Sequence, residues 1–120
     1  MKILNKLFTY VLESGVQDIG ESGTAISITD ISHKINTITL TDDCTVALPE
    51  FDSETSVTFM FKVTQDTTGG HNLTINKADG TEAVNLSEFD FTSGTASQRT
   101  WVTVLWDGTD VVFTASNYVD

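Results

Sequence analysis

The chain is predicted to be an all-β protein: an antiparallel β-sandwich, jelly-roll-like, of about seven or eight strands, preceded by a short N-terminal helix or arm. Three observations predict it. Twenty Thr and ten Ser make up a quarter of the 120 residues, against one proline, and Thr favours pleated, half-buried surfaces. Apolar and polar residues alternate with period two through much of the chain after Ala25, the pattern of a strand with one buried face. Turn residues recur every 8–12 positions, which is the spacing of a sandwich or small barrel.

Residues 2–13 are the exception. Ile3, Leu4, Leu7, Phe8, Val11 and Leu12 fall at helical spacing with Lys2, Asn5, Lys6, Thr9 and Glu13 between them, so the period predicts an amphipathic helix of about three turns. Gly15 is placed to cap it, and a helix this short has little stability alone. Residues 14–24, SGVQDIGESGT, read as a linker. The organisation expected is therefore an arm over 1–13, a linker over 14–24 and a β-sandwich domain over 25–120.

Within that domain Ile26 and Ile28 alternate with Ser27 and Thr29, and Asn36, Ile38 and Leu40 alternate with Thr37, Thr39 and Thr41. A turn at Thr41-Asp42-Asp43 leads into Val46 and Leu48, and Pro49 ends that strand. Ser56 to Thr64 is the clearest strand, with Val57, Phe59, Phe61 and Val63 on one side and Thr58, Met60, Lys62 and Thr64 on the other. Gly69-Gly70 marks the next turn, and Leu73 and Ile75 return. Residues 77–95 are the least regular. Arg99 to Trp106 is apolar on both sides, Trp101 and Leu105 against Val102, Val104 and Trp106, so both its faces are expected to be covered. Asp107-Gly108-Thr109-Asp110 is a hairpin signal before Val111, Phe113 and Ala115. The expected core is Val57, Phe59, Phe61, Val63, Leu73, Ile75, Val102 and Val104.

Charge narrows the partners. Six basic and 17 acidic residues give a net charge of −11, which disfavours nucleic acid and anionic lipid alike. The first 12 residues carry +2 and the remainder −13, so only the arm suits an acidic recipient. A lone Cys44 excludes an intrachain disulfide. The apolar stretches fall far short of the roughly 20 residues of a membrane helix, and the N-terminus lacks the continuous apolar region of a signal peptide.

Catalytic chemistry finds little footing. His33 and His71 are far apart and Cys44 is alone, so a zinc site is not expected. His71, after Gly69-Gly70, reads as an exposed loop histidine, and Cys44 as a small strand residue. No G-x-S-x-G, H-E-x-x-H or P-loop occurs. Glu50, Asp52 and Glu54 alternate and would share one side of an extended chain. The ordered calcium-loop pattern is absent, and such acids read as solvated. A glycosidase pair would have only two Trp and two Tyr to build a sugar platform. No catalytic, cofactor or metal residue is assigned. Asn72-Leu73-Thr74 and Asn85-Leu86-Ser87 match a glycosylation signal at the frequency a Thr-rich chain produces by chance.

The runs INTITLTDDCTVALPEF, VTFMFKVTQDTTGGHNLTI and TWVTVLWDGTDVVF resemble a β-sandwich module recurrent in virion proteins of tailed bacteriophages. There a TxTLTxNxTxxLP hairpin precedes an FxxxxxQDxTGG strand and turn, and an xxxWDGTxW hairpin closes the domain. Here these are Thr37 to Pro49, Phe59 to Gly70 and Trp101 to Phe113, and the likeness spans about residues 33–115. Asp42-Asp43 stands where the first turn usually has glycine, and Val111 or Val112 where an aromatic usually follows the last turn.

The resemblance implies a non-enzymatic virion structural part, and two features point to a capsid decoration (cement) protein on the outside of a phage head. The chain starts at Met1 and reads as free-standing, and residues 1–13 read as a gripping arm. Lys2, Ile3, Leu4, Lys6, Leu7, Phe8, Val11 and Leu12 are then the partner-binding residues, facing the major capsid protein or another virion protein. The alternative for the arm is packing on its own sandwich. The resemblance also implies a homotrimer, which would cover the second face of Arg99 to Trp106, unless residues 77–95 do so. The competing function is a tail-fibre or receptor-binding module recognising a host-surface glycan through exposed loop aromatics; Phe89 and Phe91 are the candidates either for that or for a cement protein's apolar contact with its neighbours.

Overall fold

In a computed structural model that describes residues 12–119, the chain forms nine strands and one short 3-10 turn. The strands are β1 (Glu13–Glu21), β2 (Ala25–Ser27), β3 (His33–Leu40), β4 (Cys44–Ala47), β5 (Val57–Gln65), β6 (Leu73–Asn76), β7 (Val84–Asn85), β8 (Arg99–Trp106) and β9 (Val111–Asn117). The 3-10 turn covers Phe91–Ser93. A six-stranded sheet has the order β1-β3-β5-β8-β9-β7, and a three-stranded sheet the order β2-β4-β6.

The first six strands alternate between the sheets. Each circuit lays one strand in the large sheet and the next in the small one, then returns beside its predecessor. Neighbours are therefore parallel: β1 with β3 with β5, and β2 with β4 with β6. Parallel neighbours require a crossover connection, and here the strand of the opposite sheet is that crossover. Only after the third circuit does the chain fold back, pairing β5–β8 and β8–β9 antiparallel. The expected antiparallel, jelly-roll-like arrangement is thus corrected to a mixed one. Alternation tells which residues face inward, but it is silent on the direction of the neighbour.

The segment expected as a linker is mostly strand β1, and Glu13, expected to end a helix, begins it. Register shifts between Glu13 and Val16 and between Asp18 and Gly20 break its ladder with β3. Gly20 sits at φ 89°, a conformation that costs glycine little. Gly15 and Gly20 thus stand at the register shifts of a sheet edge. The arm residues Lys2, Ile3, Leu4, Lys6, Leu7, Phe8 and Val11 lie outside the described residues, as does the rest of the expected helix up to residue 11. Leu12 is half-buried and packs against the core.

Both sheets contribute to one core. Val57, Phe59, Phe61, Val63, Leu73, Ile75, Val102 and Val104 are all buried, as the period-two pattern predicts. Ile38, Leu40, Val46, Phe91, Val111 and Phe113 join them. The buried polar groups are satisfied from within. Asn36 Nδ2 donates to the carbonyls of His33 and Met60 at 3.2 and 3.4 Å, and Thr100 Oγ1 donates to Asn117 Oδ1 at 2.8 Å. Cys44 is a buried strand residue, and burial pushes its thiol up against the lowering influence of Ser22 and Ile26.

The Gln65-Asp66-x-Thr-Gly-Gly motif is a structural tie. Buried Gln65 donates through Nε2 to the carbonyls of His71 (2.9 Å) and Phe91 (3.2 Å), and its Oε1 accepts from the His71 N–H at 3.0 Å. Asp66 Oδ1 accepts from the N–H groups of Thr68 and Gly69 and meets His71 Nε2 at 3.0 Å. His71, expected exposed, is half-buried in this cluster.

Candidate functional site

Three turns meet at one end of the molecule and enclose a cleft of about 310 Å³, at the lower end of the volumes typical of small-molecule sites. Pro49, Glu50 and Phe51 follow β4, Lys77, Ala78 and Asp79 follow β6, and Trp106 and Val111 flank the β8–β9 hairpin.

Each wall is fixed by local chemistry. Trp106 is 8% exposed, and its indole Nε1–H donates to the Asp52 carbonyl at 2.9 Å, which locks the ring and anchors the loop before β5. Phe51 lies against it, ring centroids 5.8 Å apart at 29°, and also touches Phe59 at 6.2 Å. Asp52 Oδ1 accepts from the Glu54 N–H, and the Asp52 carbonyl also accepts from Thr55. The chain therefore turns at Asp52. Glu50 lines the cleft while Asp52 is spent on the turn, so the three alternating acids do not form one row.

The opposite wall is held by two aspartates. Asp107 Oδ1 accepts from the N–H groups of Asp110 (2.7 Å) and Thr109 (2.8 Å), and Gly108 takes φ 99°. A Cβ at Gly108 would stand 3.1 Å from the Ser53 carbonyl oxygen, so the hairpin and the loop before β5 press together. Asp79 Oδ1 accepts from the Thr81 N–H at 2.9 Å. The backbone N–H of Asp110 foremost, then that of Thr109, holds the Asp107 carboxyl below its ordinary range. For Asp79 the Thr81 N–H does the same. The positive charge of Lys77 adds a smaller lowering at both. Asp66 is also lowered, chiefly by the Gly69 N–H.

Acid sensitivity follows. A carboxyl whose folded pKa is depressed contributes stability above its unfolded value, about 3.9 for Asp. That contribution is lost as pH falls through the folded value. The melting temperature should therefore fall below about pH 4. Asp107→Asn keeps an acceptor oxygen but not the charge, so it should flatten that fall in a calorimetric pH series. An unchanged profile would remove Asp107 from the account.

The cleft combines an aromatic wall, two carboxylates (Glu50 and Asp79) and one ammonium (Lys77). Such a set can stack a flat apolar face, accept from hydroxyls and donate to them. Phe89 and Phe91, the aromatics expected from sequence, are not displayed together. Phe91 is buried, and Phe89 packs edge-on against it at 5.0 Å. A second cavity, of about 330 Å³ near Asp18, Ile26 and Asp30, has no aromatic wall. Among the described residues no three of His, Cys, Asp and Glu gather as a metal site.

The sequence pattern did single out Leu48-Pro49-Glu50-Phe51 and the Trp106-Asp107-Gly108-Thr109 turn, but as family signatures. Lys77 and Asp79 carried no signal beyond a turn, since their meeting with Phe51 depends on the circuit between the sheets. A family model described as "Putative phage tail fibre C-terminal domain" matches residues 26–111. No curated protein and no solved structure matches the chain.

Proposed function

Since this chain belongs to the family of phage tail fibre C-terminal domains, we propose that it recognises a host-surface glycan through the Phe51–Trp106 cleft. Membership makes it a structural component of a phage virion. The observation that carries the reading is the stacked Phe51–Trp106 pair, indole locked to Asp52, facing Glu50, Lys77 and Asp79 across an open cleft. The apolar face of a sugar ring stacks on an aromatic, while its hydroxyls bridge carboxylates and an ammonium. Binding, not bond-breaking, is the activity proposed.

Capsid decoration, the other virion role, draws its support from the basic, helix-patterned sequence of residues 1–13. Family membership and the cleft favour the tail. Docking on the major capsid protein remains the competing arrangement, and co-sedimentation with purified heads separates the two.

Binding of purified host surface polysaccharide, followed by calorimetry or by NMR shifts of the Trp106 indole, is the direct test. Lys77→Ala, at a turn, should weaken binding by about tenfold, equivalent to about 1.4 kcal/mol. Phe51→Ala should weaken it at least as much. Absence of binding across the host's surface glycans would overturn the reading.

A further inference from the structure

The turns around the cleft decide which glycans it admits. Proteins hold anions with arginine forks, helix N-termini or open rows of backbone N–H groups. Here the turns have committed such donors to carboxylates of their own. Asp52 takes the Glu54 N–H, Asp79 the Thr81 N–H, and Asp107 the N–H groups of Thr109 and Asp110. The Gly80 N–H donates to the Lys77 carbonyl, and the Lys77 N–H to that of Thr81. Each of the three turns thus already holds a carboxylate where its N–H groups could cradle an incoming anion.

Cations are scarce there too. Among the described residues lining the cleft Lys77 is the one cation, set with Glu50 and Asp79, so two carboxylates meet one ammonium. That ammonium already acts on Asp79 and on Asp107. The other described cations, Lys34, Lys62 and Arg99, sit on β3, β5 and β8. Register sets Lys62 beside Trp101 and Arg99 beside Thr64. At about 3.3 Å per residue, these two positions lie roughly 17 Å or more along β8 from Trp106.

We propose, resting on the glycan reading of this cleft, that its ligand is built of uncharged sugar units and that acidic glycans are turned away. A neutral sugar brings hydroxyls, which donate to carboxylates and accept from an ammonium, and an apolar face for the Phe51–Trp106 wall. A uronic acid brings the same ring with a charge added. That charge meets Glu50 and Asp79, finds the turn N–H groups engaged, and must compete with Asp79 and Asp107 for Lys77. Like charges set against each other reject a partner that otherwise fits. The wider surface acts in the same sense, with sixteen described acids against four described cations.

Host surface polysaccharide, separated on an anion exchanger into uncharged and acidic fractions, is titrated against the full chain by calorimetry. The acidic fraction is assayed again after its carboxyl groups are reduced to alcohols, which keeps the rings and removes the charge. At low salt the uncharged fraction should bind about tenfold more tightly than the acidic one, and added salt should narrow the gap by screening. Glu50→Gln, at an exposed position, should raise the ratio of acidic to neutral affinity by about threefold. Tighter binding of the uncharged fraction, with the acidic side raised by carboxyl reduction or by Glu50→Gln, supports the proposal. Equal binding, tighter binding of the acidic fraction, or a preference that neither change moves overturns it and leaves the glycan reading standing. Failure of every fraction to bind overturns the glycan reading itself, and the proposal with it.

Discussion

Phe59→Ala is expected to remove about 3–5 kcal/mol of stability, with Phe61→Ala close behind. Both rings are fully buried, and they meet edge-to-face at 5.6 Å. Their strand, β5, pairs β3 in parallel on one side and β8 antiparallel on the other. The laddered strands on either side hold the resulting cavity open. Phe59 has a further consequence, since it supports Phe51 at 6.2 Å and thereby the cleft wall. Phe59→Ala should thus weaken the glycan binding proposed for the cleft as well as lower the urea midpoint, whereas Phe61→Ala should mainly do the latter. A loss below about 1 kcal/mol for both would mean that the core repacks far more freely than close packing allows. A typical domain has only about 5–15 kcal/mol in total.

Much of this core is legible in the sequence, because burial on one face imposes period two whatever the neighbours do. The alternating Val57, Phe59, Phe61 and Val63 point inward in the structure as the pattern requires. Direction of pairing is not legible in that way. Strand β3 next to β5 looks the same in sequence whether the pair is parallel or antiparallel, and the long path through β4 is the only hint that a hairpin does not join them. The glycine-rich stretch before Ala25 was ambiguous for another reason. Glycine suits a linker and a bulged edge strand equally, and only the partner β3 decides between them. The second face of β8 is a mixed result. Trp101 finds Tyr118, while Leu105 stays exposed.

The cleft was legible only as fragments. Trp106 reads as a strand end, Phe51 as the residue after a Pro-Glu step, and Lys77 and Asp79 as turn residues. Their convergence comes from two contacts that no local pattern encodes: the Trp106 indole on the Asp52 carbonyl, and Gly108 against Ser53. Trp106 and Gly108 lie in a run that carries the resemblance, whereas Asp52 and Ser53 follow Phe51, where the first run ends. The closing hairpin motif thus supplies one side of the candidate site, and residues outside the motifs supply most of the rest.

The Gly69-Gly70 pair offers the sharpest test of how such a motif works. Both residues have positive φ, 75° and 72°, so a side chain at either meets the left-handed strain, about 1 kcal/mol. Their surroundings differ. A Cβ at Gly69 would stand 2.7 Å from the Ala96 nitrogen and 2.8 Å from the Thr95 carbonyl carbon, whereas one at Gly70 meets nothing nearer than the Thr92 oxygen at 3.8 Å. The Gly69 obstacle is backbone, held by Gly70 N–H donating to the Gly94 carbonyl at 2.8 Å and Ser97 N–H donating to Asp66 at 2.9 Å. It can yield only by moving the loop that Gln65 ties down. Gly69→Ala is therefore expected to cost about 2–4 kcal/mol, and Gly70→Ala only about 1 kcal/mol. Gln65→Leu should fall near the larger value, because it strips the partner from both the N–H and the carbonyl of His71. Unmet buried groups cost about 1–3 kcal/mol each. The Phe91 carbonyl keeps the Gly94 N–H at 3.1 Å and adds little. Chemical denaturation of the three variants reads this order directly. If Gly69→Ala and Gly70→Ala prove equal, the first glycine is there for its backbone angle alone and the close approach of the two loops contributes nothing.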